Sequence, residues 1–134
     1  MKKLITYPIL IALFSLITAK EQATITPAQA AKYVGKYETV CGQVASTYYA
    51  YKSNGKPTFI NLDKPYPDQI FTVMVWGSDR KNFTFKPEDY YKNKEICVEG
   101  KIKEYKGVSE IIIKTPKEVS VIEKQPVQTK EKEE

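Results

Sequence analysis

The chain has 134 residues, a formal net charge of +5 and no histidine. Its length corresponds to one domain once an amino-terminal leader is removed. The lack of histidine excludes the commonest general base and every serine–histidine or cysteine–histidine nucleophile.

The first residues have the pattern of a secretory signal peptide. Lys2 and Lys3 form a positive start, residues 4–18 are almost wholly apolar, and Ala19 is the small residue of a cleavage site. The apolar run is shorter than the roughly 20 residues that span a bilayer. The sequence therefore predicts a signal peptide at 1–19 and an exported protein, periplasmic or secreted, with no membrane span after cleavage. An uncleaved anchor is the alternative.

Residues 20–122 are predicted to form one folded domain, and residues 123–134 a disordered charged tail. The tail is polar, contains Pro126 and has Val127 as its one aliphatic residue, so it buries too little surface to offset the entropy of ordering. The domain contains 16 basic and 12 acidic residues, a net charge of +4. That charge is compatible with a polyanionic partner but does not require one.

Turn signals and apolar periodicity divide the domain into a short helix and five strands. Thr26 and Pro27 begin the helix, which ends at Gly35. Alternating apolar and polar residues predict strands at 37–46, 58–62, 70–76, 95–105 and 109–114. Residues 77–94 form a polar insert with a helical turn. This order predicts an all-β fold, a five-stranded Greek-key OB-fold barrel with a helical insert between strands three and four.

Several strings in the domain also resemble a known group of proteins. They are VCGQV at 40–44, KPTFINL at 56–62, FTVMVW at 71–76, ICVEGKI at 96–102 and IIIKTPKEV at 111–119. Over residues 26–122 the chain resembles small exported bacterial OB-fold domains of the nucleic-acid-binding type. The resemblance implies the barrel and, less specifically, a nucleic-acid ligand, because a fold does not define its ligand.

The two cysteines give a separate test of the barrel. Alternation along the first and fourth strands directs Cys41 and Cys97 away from the apolar side. These strands are antiparallel neighbours in an OB barrel, so the thiols are predicted to form a disulfide on the outer surface, as an oxidising compartment favours. Closing this loop would stabilise the fold by roughly 3–4 kcal/mol. Two free thiols or a metal site are the alternatives, although zinc is disfavoured without histidine.

The sequence predicts a non-enzymatic protein with no metal and no cofactor. It has no glycine-rich phosphate loop and no G-x-S-x-G motif. Arg80 is the single arginine, and no cluster of acids accompanies it of the kind that some OB-fold nucleases use. Glu88 and Asp89 lie in a polar stretch and are interpreted as solvated.

A binding site is predicted on two loops and one face of the barrel. OB-folds bind oligonucleotides with the loops after strands one and four and with the outer face of strands two and three. Lysines neutralise phosphates, and aromatic rings stack on bases at ~1–3 kcal/mol each. The predicted ligand-binding residues are Tyr48, Tyr49, Tyr51, Lys52, Lys56, Phe59, Asn61, Lys103, Tyr105 and Lys106.

The same residues have structural interpretations, because tyrosines often cap barrel ends and surface lysines maintain solubility. Trp76, at the end of a strand, is predicted to be partly buried packing. Three functions stay open: a single-stranded nucleic-acid binder, a periplasmic module for an envelope protein, peptide or glycan, and an accessory domain that assembles through its tail. The resemblance favours the first, whereas export favours the second because few nucleic acids occur outside the cell. The sequence does not predict an oligomeric state.

Overall fold

Seven strands and four short helical segments make up the part of the chain that this computed structural model describes, Lys3 and residues 23–124. The predicted signal peptide, apart from Lys3, and residues 125–134 of the predicted tail lie outside the described residues. In chain order the elements are a 3-10 helix at Pro27–Tyr33, β1 at Tyr37–Tyr49, β2 at Thr58–Leu62, β3 at Phe71–Val75, a 3-10 helix at Gly77–Asn82, α1 at Pro87–Tyr90, β4 at Glu95–Lys101, β5 at Lys103–Tyr105, β6 at Val108–Ile112, a 3-10 helix at Pro116–Glu118 and β7 at Val119–Ile122.

The strands close into the predicted all-β barrel of the OB type. The sheet order is β5-β6-β3-β2-β1-β4-β7, with β6 parallel to β3 and the other pairs antiparallel. β4 and β5 are two halves of the predicted fourth strand, separated by Ile102 alone. The first half pairs with β1 and the second with β6, so one continuous segment connects β1 to β6 and closes the barrel.

The strand count differs from the predicted five for two physical reasons. At Ile102 the backbone turns to the segment before β1, where its N–H donates to the carbonyl of Lys36 at 2.9 Å and its carbonyl accepts from Gly35 N–H at 2.8 Å. The fourth strand is therefore divided where it changes partner. β7 adds the other strand, because the residues after the last turn pair with the free side of β4.

β1 is longer than predicted and serves two partners. Its first half, to Gln43, pairs with β4, and its second half pairs with β2. The register shifts between Val44 and Ser46, as a β-bulge does when it inserts one extra residue and bends a strand. Because β1 continues to Tyr49, Tyr48 and Tyr49 lie on a strand and not in the predicted loop.

The barrel interior is filled by alternate residues of β2 and β3. Ile60, Leu62, Phe71, Val73 and Val75 are fully buried in the hydrophobic core, whereas Phe59 and Asn61 lie on the outer face, as predicted. Burying each such side chain stabilises the fold by about 1.5–3 kcal/mol relative to leaving it exposed. The side chains on the outer face of β2 and β3 are therefore available to line a binding site.

A glycine allows the close approach of β4 and β6. At Gly100 a Cβ atom would lie 2.6 Å from Cγ2 of Ile111, so only glycine lets β4 approach β6 this closely.

The predicted amino-terminal helix is confirmed as a 3-10 helix. Its Thr26 and Gln29 form a reciprocal capping box, and Ala30 packs into the core.

Cys41 and Cys97 form the predicted disulfide. They face each other in register across β1 and β4 and are separated by 56 residues in the chain. Both side chains are partly exposed, on the face opposite Val40 and Val98. The prediction from strand alternation is therefore confirmed. Among the described residues, no helix has the length and apolar character needed to cross a membrane.

Candidate ligand-binding groove

A groove of about 720 Å³ lies over the outer face of the barrel, on β2, β3 and β6. The end of β1 and the loop after it form one wall, and the β5–β6 hairpin forms another. Residues of the β2–β3 connection, Tyr66 and Gln69, form a third. The groove therefore lies between the two loops that the sequence predicted and includes one connection that it did not.

Four aromatic rings line this groove: Tyr48, Phe59, Tyr66 and Tyr105. The three tyrosines are 63%, 73% and 60% exposed, whereas Phe59 is half-buried. Tyr48 and Phe59 are directly opposite each other across β1 and β2, a spacing that brings their Cβ atoms to about 4.5–5.5 Å. The exposed rings offer apolar surface that the protein itself does not cover.

The groove floor is a connected row of polar groups. The Ser46 hydroxyl accepts hydrogen bonds from Tyr66 N–H at 3.1 Å and from Asn61 Nδ2 at 3.0 Å. The Thr72 hydroxyl donates to Asn61 Oδ1 at 2.8 Å. These bonds use both ends of the Asn61 amide and fix its orientation. Next to this row, Gln69 Oε1 is buried and has no hydrogen-bond partner among the described residues.

Among the residues that the structure describes, Glu110 is the one acidic side chain in the groove lining. It lies opposite Thr72 on β3 and opposite Lys103 on β5. Burial raises the pKa of the Glu110 carboxyl, and the nearby Lys103 charge lowers it only in part. The groove wall thus holds an acceptor that attracts hydrogen-bond donors and repels anions.

Positive charge in the groove lining comes from Lys106 at the tip of the β5–β6 hairpin. Lys106 and Gly107 both have positive φ, 49° and 80°, which is the backbone of a type I′ turn. The Lys106 ammonium lies 5.4 Å from the centre of the Tyr105 ring. The tight turn thus presents an exposed ring and a cation together at the groove rim.

The structure brings five of the ten predicted residues together in this groove: Tyr48, Phe59, Asn61, Tyr105 and Lys106. The other five lie outside its lining. Tyr51 and Lys52 are exposed after β1, with the ammonium 5.6 Å from the ring centre. Lys103 lies on β5 opposite Glu110, and Lys56 lines a separate pocket beside Trp76.

Tyr49 belongs to a different cluster, on the other side of β1 from Tyr48. The guanidinium carbon of Arg80 lies 3.6 Å from the Tyr49 ring centre. Arg80 also donates to both carboxylate oxygens of Glu88, at 2.8 and 3.0 Å, and to the Thr58 hydroxyl. The Thr47 hydroxyl donates to the Glu88 carbonyl at 2.8 Å. We call Tyr49, Thr58, Arg80 and Glu88 the Arg80 cluster; it joins the helical insert to β1 and β2.

The Arg80 cluster is a satisfied ion pair. The hydrogen bond to Glu88 raises the pKa of the Arg80 guanidinium. Burial opposes ionisation of the Glu88 carboxyl, but the hydrogen bond and charge of Arg80 outweigh it, so the pKa of Glu88 lies below its ordinary value. The prediction of a solvated Glu88 is wrong, because its side chain is only 16% exposed and pairs with Arg80.

The predicted ligand-binding residues leave out nine of the lining residues, among them Tyr66, Gln69, Thr72 and Glu110. Two of them carried a usable signal. Thr72 and Glu110 alternate with buried Phe71, Val73 and Ile111, so they must point outward. Tyr66 and Gln69 carried no such signal, because the sequence of the β2–β3 connection does not reveal that the connection folds back over the sheet.

Comparisons with known proteins support the fold alone. No protein-family model matches the chain, and no curated protein matches it. A chain assigned as an aspartyl-tRNA synthetase from Leishmania major Friedlin has a TM-score of 0.50 and 13% identity, over 88% of this chain and 24% of that chain. An aspartyl tRNA synthetase of Entamoeba histolytica has a TM-score of 0.48 and 14% identity, over 79% and 23%. This chain thus spans about a quarter of either protein's length, and at such identity the first similarity concerns the barrel fold.

Proposed function

We propose that this protein is an exported, non-enzymatic binding protein that holds single-stranded nucleic acid in the groove. One observation carries the proposal: four aromatic rings and a lysine surround a polar floor on the face of β2 and β3. OB-folds bind oligonucleotides on this face. The fold similarity to a chain named for an enzyme of tRNA is in keeping with this ligand class.

The chemistry of the groove supports a strand with its bases inward. Tyr48, Tyr66 and Tyr105 expose rings on which bases stack, worth about 1–3 kcal/mol for each base. Glu110 is an acceptor, and so is Gln69 Oε1, which has no partner within the described part of the chain; base amino groups are donors to such acceptors. Lys106 stands at the rim, where a phosphate would face solvent. An inverted strand, with phosphates on the floor, would meet the Glu110 charge.

Export is the other half of the proposal. The leader pattern at 1–19 supports it, and so does the Cys41–Cys97 disulfide, because such bonds persist in oxidising compartments. A protein with this groove would then meet nucleic acid outside the cytoplasm, as extracellular DNA or RNA.

An oligosaccharide is the second candidate ligand. The half-buried Glu110 favours it, because a neutral ligand rich in hydroxyl donors escapes the repulsion that a polyanion meets there. OB-folds also bind oligosaccharides with the same loops. The two ligands differ in charge, and salt therefore separates them.

The test is fluorescence anisotropy of the full chain with labelled single-stranded oligonucleotides at low and moderate salt. We expect micromolar binding that weakens as salt rises, with a log–log slope of ~0.7 for each phosphate contact. The double variant Tyr48→Ala and Tyr105→Ala should lose binding. Tyr37→Ala, an exposed tyrosine at the start of β1, is the matched control. No binding at low salt, together with salt-independent binding of an oligosaccharide, would replace the proposal with the second candidate.

A further inference from the structure

A second, smaller pocket of about 380 Å³ lies outside the groove and is lined by Gly55, Lys56, Trp76, Gly77 and Ser78. Trp76 is the chain's single tryptophan and is 40% exposed, so the prediction of partial burial holds. The question is what keeps the indole in this place.

Two glycines hold the indole against the loop that follows β1. A Cβ atom at Gly55 would lie 2.7 Å from Cζ3 of Trp76, so the ring rests on bare backbone. Gly55 also has a φ of +74°, which a side chain would strain. The Gly77 N–H donates to the Gly55 carbonyl at 2.9 Å, and a Cβ at Gly77 would meet that carbonyl oxygen at 2.8 Å. The ring is therefore fixed in advance of any ligand.

Lys56 places a cation beside this fixed ring. It lines the pocket, is exposed, and forms no ion pair with an acid among residues 23–124. Its backbone has a φ of 46°, the left-handed conformation that favours glycine, and Gly55 before it is also left-handed. A rigid ring next to an unpaired cation matches the two parts of a nucleotide, a flat base and a phosphate.

The pocket and the groove are close neighbours along one loop. Ser53 lines the groove and Gly55 lines the pocket. Two residues of extended chain span at most about 7 Å. Trp76 directly follows β3, and its extended backbone continues the alternation that puts Thr72 of the groove floor on the outer face. A single-stranded nucleic acid that passes over the tip of this loop would therefore reach from the groove to the pocket.

We propose that this pocket is a second nucleotide subsite, in which a base stacks on Trp76 and the Lys56 ammonium donates hydrogen bonds to the adjacent phosphate. The subsite rests on the proposed function, since it takes the next part of the strand that the groove holds. It explains why the loop carries Lys56 and left-handed Gly55 at its tip. It also makes affinity depend on strand length.

Because Trp76 is the single tryptophan, its emission reports on this subsite alone. The full chain is titrated with a thymidine dinucleotide and with a thymidine octanucleotide. We expect the octanucleotide to quench emission and to bind about five- to hundred-fold more tightly than the dinucleotide, the gain from one more stacked base. The dinucleotide, which fills the groove alone, should leave emission unchanged.

Three variants complete the experiment, with anisotropy as the readout. Trp76→Leu keeps an apolar side chain against Gly55 and should abolish the length advantage without weakening dinucleotide binding. Lys56→Gln should lower the salt slope of the octanucleotide by about 0.7. Tyr37→Leu, another exposed aromatic residue remote from both openings in the sequence, is the control and should change neither measurement.

Failure of the subsite and failure of the proposed function give different results. If both oligonucleotides bind equally, emission is constant and Tyr105→Ala weakens both, the groove is the whole site and the subsite is wrong. If neither oligonucleotide binds at low salt, the proposed function fails, and the subsite fails with it.

Discussion

Two regions of the barrel each combine a partly buried glutamate with tyrosines, and they differ in whether the carboxylate has a partner within the protein. In the Arg80 cluster both carboxylate oxygens of Glu88 accept from one guanidinium, and the pKa of Glu88 is lowered. In the groove Glu110 has no hydrogen bond or ion pair to its carboxylate among residues 23–124, and burial raises its pKa. The first region is complete by itself. The second retains unused acceptors and uncovered rings, which is the capacity that a ligand requires.

Tyr48 and Tyr49 belong to different regions although they are neighbours in the chain. They are adjacent in sequence, but alternation along β1 sends one into the groove and the other beneath Arg80. Residue type alone therefore does not distinguish a binding tyrosine from a structural one. The side of the strand and the partners found there do.

The largest expected effect tests the structural side of this comparison. Arg80→Ala removes the hydrogen bonds to Glu88 and Thr58 and leaves a poorly exposed carboxylate unpaired, so we expect a loss of about 2–3 kcal/mol in the free energy of unfolding. Urea unfolding at neutral pH measures it. The adjacent exposed cation provides the control Lys81→Ala, which should change stability by less than about 0.5 kcal/mol. Equal, small effects of both substitutions would show that the cluster is not structural.

The same pair also has a defined pH dependence. Because the folded pKa of Glu88 lies below its unfolded value, the stabilisation is fully present above the unfolded pKa and is lost as pH falls through the folded one. Wild type and Arg80→Ala should therefore converge in stability under acid conditions.

The second prediction contrasts the two neighbouring tyrosines. Tyr48→Ala should weaken oligonucleotide binding by about five- to hundred-fold and leave stability nearly unchanged, because its ring is mostly exposed. Tyr49→Ala should do the reverse, with a stability loss of about 1 kcal/mol from the contact with Arg80. Anisotropy and urea unfolding on the same two samples give both readings. Loss of binding in Tyr49→Ala alone would invert our assignment of the two faces.

The sequence predicted the architecture well because the barrel depends on local alternation. The strand at 58–62 has the predicted bounds, and the disulfide followed from the parity of Cys41 and Cys97. The partner change at Ile102 was not predictable from periodicity, since its side chain is buried in keeping with the pattern. Its backbone is diverted by Gly35 and Lys36, which are distant in sequence.

The groove was predicted only in part, and the reason is long-range packing. The sequence predicted Phe59 and Asn61 on the outer face, and the short gap between the predicted strands at 95–105 and 109–114 located the hairpin. The wall that contains Tyr66 depends on one hydrogen bond from its N–H to Ser46, twenty positions earlier in the chain. Equally, nothing local to Tyr49 reveals Arg80, because the arginine arrives from an insert after β3.

The third prediction sharpens the contrast between the two glutamates. Glu110→Gln should strengthen binding of a thymidine oligonucleotide severalfold at neutral pH, because it removes the one anionic side chain from the groove lining. Wild-type affinity should rise as pH falls through the raised Glu110 pKa, and the variant should lose that rise. Glu88→Gln, at the paired carboxylate, is the matched comparison and should lower stability with no gain in affinity. Weaker thymidine binding by Glu110→Gln would instead show that the carboxylate contacts the ligand directly.

The smallest expected effect concerns the groove cation. Lys106→Gln should weaken binding by about threefold and reduce the salt slope by about 0.7, the loss of one phosphate contact on a single strand. Lys101→Gln, an exposed lysine at the end of β4, should leave the slope unchanged. Anisotropy across a series of salt concentrations supplies both slopes. Identical slopes for the two variants would remove Lys106 from the phosphate contacts.

The position of the disulfide has a consequence for how the barrel moves. The bond joins β1 to β4 before the bulge, whereas Ser46, Thr47 and Tyr48 line the groove after it. The disulfide holds β1 against β4 at Cys41 and leaves the other end of β1 without a covalent link, so we expect amide hydrogens near Tyr48 to exchange with solvent through local openings. We expect those near Val40 to exchange only when the whole barrel unfolds. We therefore expect a ligand bound in the groove to slow amide exchange most in the part of β1 after the bulge, where the disulfide contributes least.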